Sequence, residues 1–455
     1  MTGIVGGVDG GGTVPSLPAS WCASGAHRLV PLGQFLAALR SPNGVCAVGI
    51  GGREPETRAG NVANVPARGT RPPQWRIAAR RSFLRVRVPA GRLVGIDLAR
   101  TLALGGMIAT HLYRPVYDRQ VSLAHQLAAG RASALFAVLA GLSLALVTGG
   151  PTPVTGRERR ARSVAIVVRS VLLYGIGVAL THLGTGIAIV LQTYAVLLVA
   201  MLPFPGWRPR RLALLAGAWV VAGPLLLVWI TSWWPAWHVT GWGTVTEHVQ
   251  GIYPLPVWIT YFWVGLAVGR LRLTGTRVAT LLLAFGGLLA VAAVVVSDRL
   301  VYRQTVLRQL AADVGTTDLD YVRHLLDWGL AGFVPGGSNW WLAVSAPHSG
   351  TPFDLATTIG TALALVGACL LLARLLPRAI TVLSGAGAMS LTIYTLHVVA
   401  MSRRVWPPEE TRSFWIHITL LGLLGAAFRL ARRRGPLEWL VSWVSGRAAS
   451  VVRRP

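Results

Sequence analysis

The sequence predicts an all-α fold: a polytopic integral membrane helical bundle of about ten transmembrane helices, with both termini cytoplasmic. Three observations carry this expectation. Hydrophobic residues make up 53% of the chain and charged residues 13%, where soluble domains run to about a quarter charged. Uninterrupted apolar runs such as LALLAGAWVVAGPLLLVWI (212–230) and VATLLLAFGGLLAVAAVVV (278–296) are long enough to cross roughly 30 Å of hydrocarbon. Arginine, which supplies all the basic residues, is concentrated in alternate short loops.

Taken in order, the spans are expected at about 93–114, 131–149, 163–183, 185–203, 212–232, 252–270, 277–297, 354–375, 381–401 and 413–431. The loops GRERRAR and WRPRR, the loop with Arg270, Arg272 and Arg277, and the residues Arg374 and Arg378 fall on one side, which the positive-inside rule makes cytoplasmic. The tryptophan-rich loop SWWPAWHVTGWG has no arginine and falls outside, as does the long segment 298–353. The loop with Arg403, Arg404 and Arg412 dissents from the pattern, with Glu409 and Glu410 in partial balance. The net charge of +27 is therefore mostly topogenic, and nucleic acid is not expected as a partner.

Residues 1–90 form a separate segment. They are rich in Gly, Pro and Arg without apolar periodicity, so a disordered extension is expected there, or a native start nearer Val86. The membrane domain is expected over 91–446 and a short basic tail over 447–455. In GPLEWLVSWVSG (435–446), Trp439 and Trp443 share one helical face suited to the interface. Cys22, Cys46 and Cys369 have no metal or redox spacing, and Cys369 reads as a packing residue.

The first span, RLVGIDLARTLALGGMIATH, carries Asp97, Arg100 and His111. Each ionisable group costs about 2.5–3.5 kcal/mol at mid-bilayer, so three on one helix need a reason. At 100° per residue all three lie on one stripe, which must face protein or a wet cavity. Asp97 and Arg100, at i,i+3, either neutralise each other and pin the helix to a neighbour or serve a pathway. His111 lies about 16 Å further along, near the outer end, where it either bonds to a loop or handles protons.

Arg100, ten residues, then His111 resembles the Arg/Lys–x10–His signature of acyltransferase family three. The whole helix is similar to the opening helix of heparan-α-glucosaminide N-acetyltransferase-like proteins and of the YeiB-like bacterial membrane family. GRASALFAVLAGLSLAL (130–146), PHSGTPFDLATTIGTALALVGACLLL (347–372), LSGAGAMSLTIYTLH (383–397) and GPLEWL (435–440) resemble further blocks of these proteins, so the likeness covers about 92–446. The lumenal histidine-bearing loop of the heparan enzyme has no clear counterpart here.

The resemblance implies transfer of an acyl group, usually acetyl, from cytoplasmic acyl-CoA to a hydroxyl or amine at the outer face. The acceptor would be an envelope glycan or a small molecule, with a histidine handling the proton or the acyl group. His111 is then the expected general base, and Asp97 with Arg100 the supporting pair. Arg157, Arg159 and Arg160 of GRERRAR, and Arg169 inside span 3, are expected to meet coenzyme A phosphates, unless they are merely topogenic. Arg169 is also a possible partner for Asp97. His348, Ser349 and Asp354 of PHSGTPFD, with Tyr394 and His397, are expected on the acceptor side, although turns and interfacial histidines of this kind are common. His182 and His417 fall at the same level. No metal is expected, since no HxxxH or Cys–His pairing is present. Besides the lipid bilayer, a homodimer is a possible association, and the plasma membrane is the expected location. The rival readings are a proton-coupled carrier, against which stands the lack of an internal repeat, although Pro224, Pro254 and Pro256 could break spans 5 and 6, and a non-catalytic protein of the same fold.

Overall fold

The computed structural model describes residues 91–113, 116–117, 120–233, 245–332, 334–402 and 411–453, all within one compact unit, Pro72–Pro455. The extension expected over 1–90 lies outside the described residues. The chain begins with α1 (Val94–Leu112), a two-residue antiparallel ladder of β1 (Val116–Tyr117) and β2 (Gln120–Val121), and a short α2 (Leu123–Ala128). Helices α3 (Arg131–Val147), α4 (Gly156–Thr181), α5 (Leu191–Ala200), α6 (Pro209–Trp233), α7 (Val245–Gln250), α8 (Leu255–Gly269) and α9 (Thr276–Val301) follow. Next come α10 (Gln304–Asp313), α11 (Leu319–Trp328), a 3₁₀ turn at Asn339–Ala343 and α12 (Pro352–Leu375). The chain closes with α13 (Pro377–Leu383), α14 (Gly385–Ala388), α15 (Ser390–Ala400), α16 (Thr411–Leu430) and α17 (Pro436–Arg453).

The molecule is thus an all-helical membrane bundle. Six stretches are long and apolar enough to cross a bilayer: Leu123–Val147, Gly156–Thr181, Pro209–Trp233, Thr276–Val301, Pro352–Leu375 and Ser413–Leu430. Three shorter apolar helices, α5, α8 and α15, accompany them, as does the ion-bearing α1. Every apolar segment expected from the sequence therefore contains a helix.

Packing sorts these helices. Helices α4, α6, α9 and α16 leave most of their side chains unburied, with Leu214, Trp229, Phe285, Leu288 and Leu423 exposed, as helices bathed in lipid do. Helices α1, α3, α8 and α12 form the buried centre, where Ala99, Leu104, Leu139, Phe262, Leu266, Val366 and Cys369 are closed off. Small residues allow the close contacts that packing in lipid requires. A methyl on Gly286 of α9 would come within 2.5 Å of Ala364 N on α12. One on Gly387 of α14 would collide with the Asp97 carbonyl of α1. The glycine-rich SGAGAMS therefore serves backbone approach.

Four expectations need correction. GRERRAR is the first two turns of α4, not a loop. Span 9 is three helices, because the backbone leaves helical geometry at Ser384 and Met389. The basic tail from 447 belongs to α17, which continues to Arg453 and packs on α4, with Arg453 paired to Glu158 at 2.7 Å. The prolines considered as helix breakers do not break helices: Pro224 is buried inside an uninterrupted α6, and Pro254 and Pro256 start α8. Trp439 and Trp443 do share a face, with rings 6.0 Å apart and Arg447 lying over Trp443.

The segment between α9 and α12 carries its own small core. Val306, Leu307, Leu310, Val322, Leu326 and Trp341 pack together on the buried faces of α10 and α11 and the 3₁₀ turn. Asp313 ties it, accepting from Ser338 N at 3.0 Å and Trp341 Nε1 at 3.1 Å.

Candidate active site

Two polar sites lie at opposite ends of α1. At its start, the Asp97 side chain is only 3% exposed and meets three guanidinium groups. Arg92 approaches at 2.5 Å, Arg100 at 3.0 Å and Arg429 of α16 at 3.4 Å. Arg100 also donates to Ser143 Oγ of α3 at 2.6 Å. The Asp97–Arg100 pair expected from the i,i+3 spacing is present, but three cations on one carboxylate leave positive charge in excess.

Arg169 does not join it. Among the described residues Arg169 makes no ion pair, and it stands exposed within electrostatic range of Arg100 and Glu438. The alternative of an Arg169–Asp97 pair is therefore corrected; Arg92 and Arg429 fill that place. Arg157, Arg159 and Arg160 are exposed on the first turns of α4, about 15 Å along the helix from Arg169, so the four do not form one cluster.

At the other end of α1, His111 meets α15 and α16. Its Nδ1 lies 3.1 Å from His397 Nε2, with the two rings parallel to within 3°. His397 Nδ1 lies 3.1 Å from His417 Nδ1. His397 is fully buried and His417 nearly so, while His111 is partly open. Three imidazoles on three helices thus form a continuous hydrogen-bonded row. The partner that orients His111 is a histidine rather than a carboxylate. His182 stands apart, exposed, with Nδ1 against the Val178 carbonyl of its own helix.

The position of α15 depends on Glu438 of α17. Its carboxylate accepts from Leu391 N at 2.7 Å, Thr392 N at 3.2 Å and Thr392 Oγ1 at 2.6 Å. An acidic side chain thereby caps the N-terminus of the helix whose far end carries His397. Tyr394, on the same helix, is buried, and its hydroxyl makes no hydrogen bond of normal geometry among the described residues.

Close by, and within electrostatic range of His111, lies His348. The loop that carries it is strapped down by Leu330 N on the Pro347 carbonyl (2.9 Å) and Gly332 N on the His348 carbonyl (2.6 Å). His348 itself has φ +55°, a left-handed conformation that costs a non-glycine residue about 1–3 kcal/mol. Its Nε2 accepts from Gly130 N at 3.2 Å, and its Nδ1 is buried without a partner. Burial, aided by neighbouring His125, pushes the imidazole down to about 4. A cavity beside it is lined by Trp258, Tyr261, Gly350 and Asp354. Asp354 begins α12, capped by Thr351 Oγ1, and its Oδ2 accepts from Gly350 N at 2.9 Å. Ser349 is fully buried, with Oγ 3.3 Å from Thr351 Oγ1 and hydrogen-bonding contact with Asp354.

The depressed His348 has a consequence for stability. Its unfolded value is about 6.5, so between pH 6.5 and 4 the unfolded chain binds more protons than the native one. The contribution is present in full above pH 6.5 and is lost on acidification towards pH 4. A thermal-melt series in detergent over that range should show wild type losing up to about 3 kcal/mol more than His348→Gly. Parallel pH slopes in the two proteins would refute this.

Sequence reading passed over His125, Glu438 and Arg429. His125 Nε2 lies 2.9 Å from the Trp328 carbonyl, and its ring stacks on Trp328 at 4.7 Å, which joins α2 to α11. Among the described residues no group of three or more His, Cys, Asp or Glu side chains is placed to hold a metal.

Comparison with known families bears on these residues. The family model described as heparan-alpha-glucosaminide N-acetyltransferase, catalytic, matches residues 92–303. This segment is similar to that acetyltransferase catalytic domain. No curated protein matches the chain. The acyltransferase match includes Asp97, Arg100, His111 and Arg169, and stops short of His348, Asp354, His397 and Glu438. The apolar helices mark a membrane protein, and the matched segment points to acetyltransferase chemistry in general.

Proposed function

We propose that the protein transfers an acetyl group from acyl-CoA, bound at the Asp97 end of α1, to a hydroxyl or amine presented at the His111 end. In this reading the Asp97 end and both termini are cytoplasmic, the bundle spans the plasma membrane ten times, and the acceptor is an envelope sugar or similar molecule. The observation that carries the proposal is the row His111–His397–His417, because it sets a base on α1 with one ring nitrogen held and the other available.

The chemistry follows from the row. With His111 Nδ1–H donating to His397 Nε2, and His397 Nδ1–H donating to His417 Nδ1, His111 Nε2 is left unprotonated. It takes the proton from the acceptor as the acceptor's oxygen or nitrogen bonds to the acyl carbon. The carbon–sulfur bond then breaks, and the imidazolium returns the proton to the departing thiolate. The row stabilises the transient charge on His111 by polarisation through two hydrogen bonds. Arg100, Arg169 and the excess charge around Asp97 suit the phosphates of the donor, whose long arm must reach about 16 Å along α1. Arg157, Arg159 and Arg160 would contribute only to approach from solution.

The test is acetyl-CoA consumption by the purified protein in nanodiscs, with envelope glycans as acceptor. Thiol release matched by acetylated glycan supports the proposal. Acyl-CoA that neither binds nor turns over would reject it, and uptake of solute without thiol release would favour a carrier.

A further inference from the structure

His348 is fixed in one tautomer by the backbone. Gly130 N–H donates to its Nε2, so that nitrogen carries a lone pair and cannot carry a proton. A neutral ring then holds its hydrogen on Nδ1. That N–H is buried and has no acceptor among the described residues. His348 is also one of the residues that line a cavity with room for about one water molecule. Asp354, whose carboxyl group accepts hydrogen bonds, and the aromatic residues Trp258 and Tyr261 also line that cavity. Tyr253 packs edge-on against His348 at 5.9 Å.

One donor, one acceptor and room for one oxygen match a hydroxyl group, which accepts from the first and donates to the second. An ammonium group, the form of an alkyl amine at neutral pH, only donates, and a carbonyl only accepts, so each satisfies one of the two. A methyl group satisfies neither and leaves a buried N–H unpaired. Aromatic walls suit the carbon face of a ring that bears such a hydroxyl. His348 is unsuited to act as the base, because protonation at Nε2 breaks the Gly130 bond.

We infer that His348, with Asp354, is a specificity-determining pair that binds a non-reacting hydroxyl of the acceptor beside His111, so that polyhydroxylated acceptors are selected over simple amines and alcohols. This rests on the acyl transfer proposed above and assigns His348 a role in that site.

Full-length protein in nanodiscs is assayed with acetyl-CoA and two probe acceptors that share a ring amine, methyl α-glucosaminide and cyclohexylamine. Wild type should favour the hydroxylated probe by about 10²-fold or more in kcat/KM, since sites built to bind a hydroxyl strongly reject analogues without it. His348→Gly, which accepts the left-handed backbone, should reduce the preference to under about 10-fold, with the loss in kcat/KM falling mainly on the hydroxylated probe. His348→Asn, which tolerates that backbone and retains an N–H, should recover part of it. Equal losses for both probes, or an unchanged preference, would overturn the inference. If wild type acetylates neither probe, acyl transfer to these amines fails, and ¹⁵N-histidine NMR still decides the role of His348. A protonated Nδ1 that responds to methyl α-glucosaminide and not to cyclohexylamine supports it. A protonated Nε2, or no response, refutes it.

Discussion

Replacing His111 by alanine should lower acetyl transfer by about 10²–10⁴-fold, the usual contribution of a positioned acid–base group. The loss should fall on kcat. Donor binding should persist, because the arginines around Asp97 lie about 16 Å away along α1. His397→Phe supplies the mechanistic control. It keeps the ring volume at a fully buried position and removes the hydrogen bond to His111 Nδ1. If the row orients and polarises His111, this variant also loses kcat, by at least about 10-fold, with KM for acetyl-CoA nearly unchanged. Stopped-flow thiol release with each variant separates the two parameters. Wild-type kcat in His111→Ala would remove His111 from the chemistry altogether.

Asp97→Ala should be the most damaging single change to folding, by about 3–5 kcal/mol. Coulomb attraction to three arginines is only part of the reason. The larger part is what remains after the carboxylate is gone: Arg100 and Arg429, only partly exposed, must sit together without an anion. The measurement is the thermal midpoint of the purified protein in detergent. Asp97→Ala combined with Arg429→Leu should recover part of the loss, since the second change removes an unpaired cation and leaves an apolar side chain facing the bundle. A double variant no better than the single one would show that Asp97 acts through α1 geometry alone.

Local features of this structure were legible from residue spacing. The apolar segments, the Asp97–Arg100 pair, the shared face of Trp439 and Trp443 and the packing role of Cys369 depend on helical periodicity and composition, which act over a few residues. Features set by distant parts of the chain were not. His111 and His397 are separated by 286 positions, and no local pattern announces that α1 and α15 meet. Glu438 looks like an ordinary first-turn acid of α17, yet its carboxylate serves another helix. Arg429 reads as a topogenic charge at the end of an apolar span until α16 brings it to Asp97. GRERRAR looked like a loop because arginine at a span end marks topology, but arginine is also a good helix former and α4 simply starts earlier. Span 9 looked continuous because its small apolar residues carry no breaker; contact with α1 and α16 decides where it bends.

The capping of α15 by Glu438 ties the His111 site to the last helix of the chain. A protein cut before Pro436 would keep every histidine and every span, yet lose the anchor that sets the depth of His397. Alterations at the carboxyl end, whether a purification tag, a fusion partner or proteolytic trimming, are therefore not neutral handles for this molecule. They act on the reaction centre from the far side of the bundle, and activity measured on such variants reports the state of that clasp as much as the competence of the imidazoles.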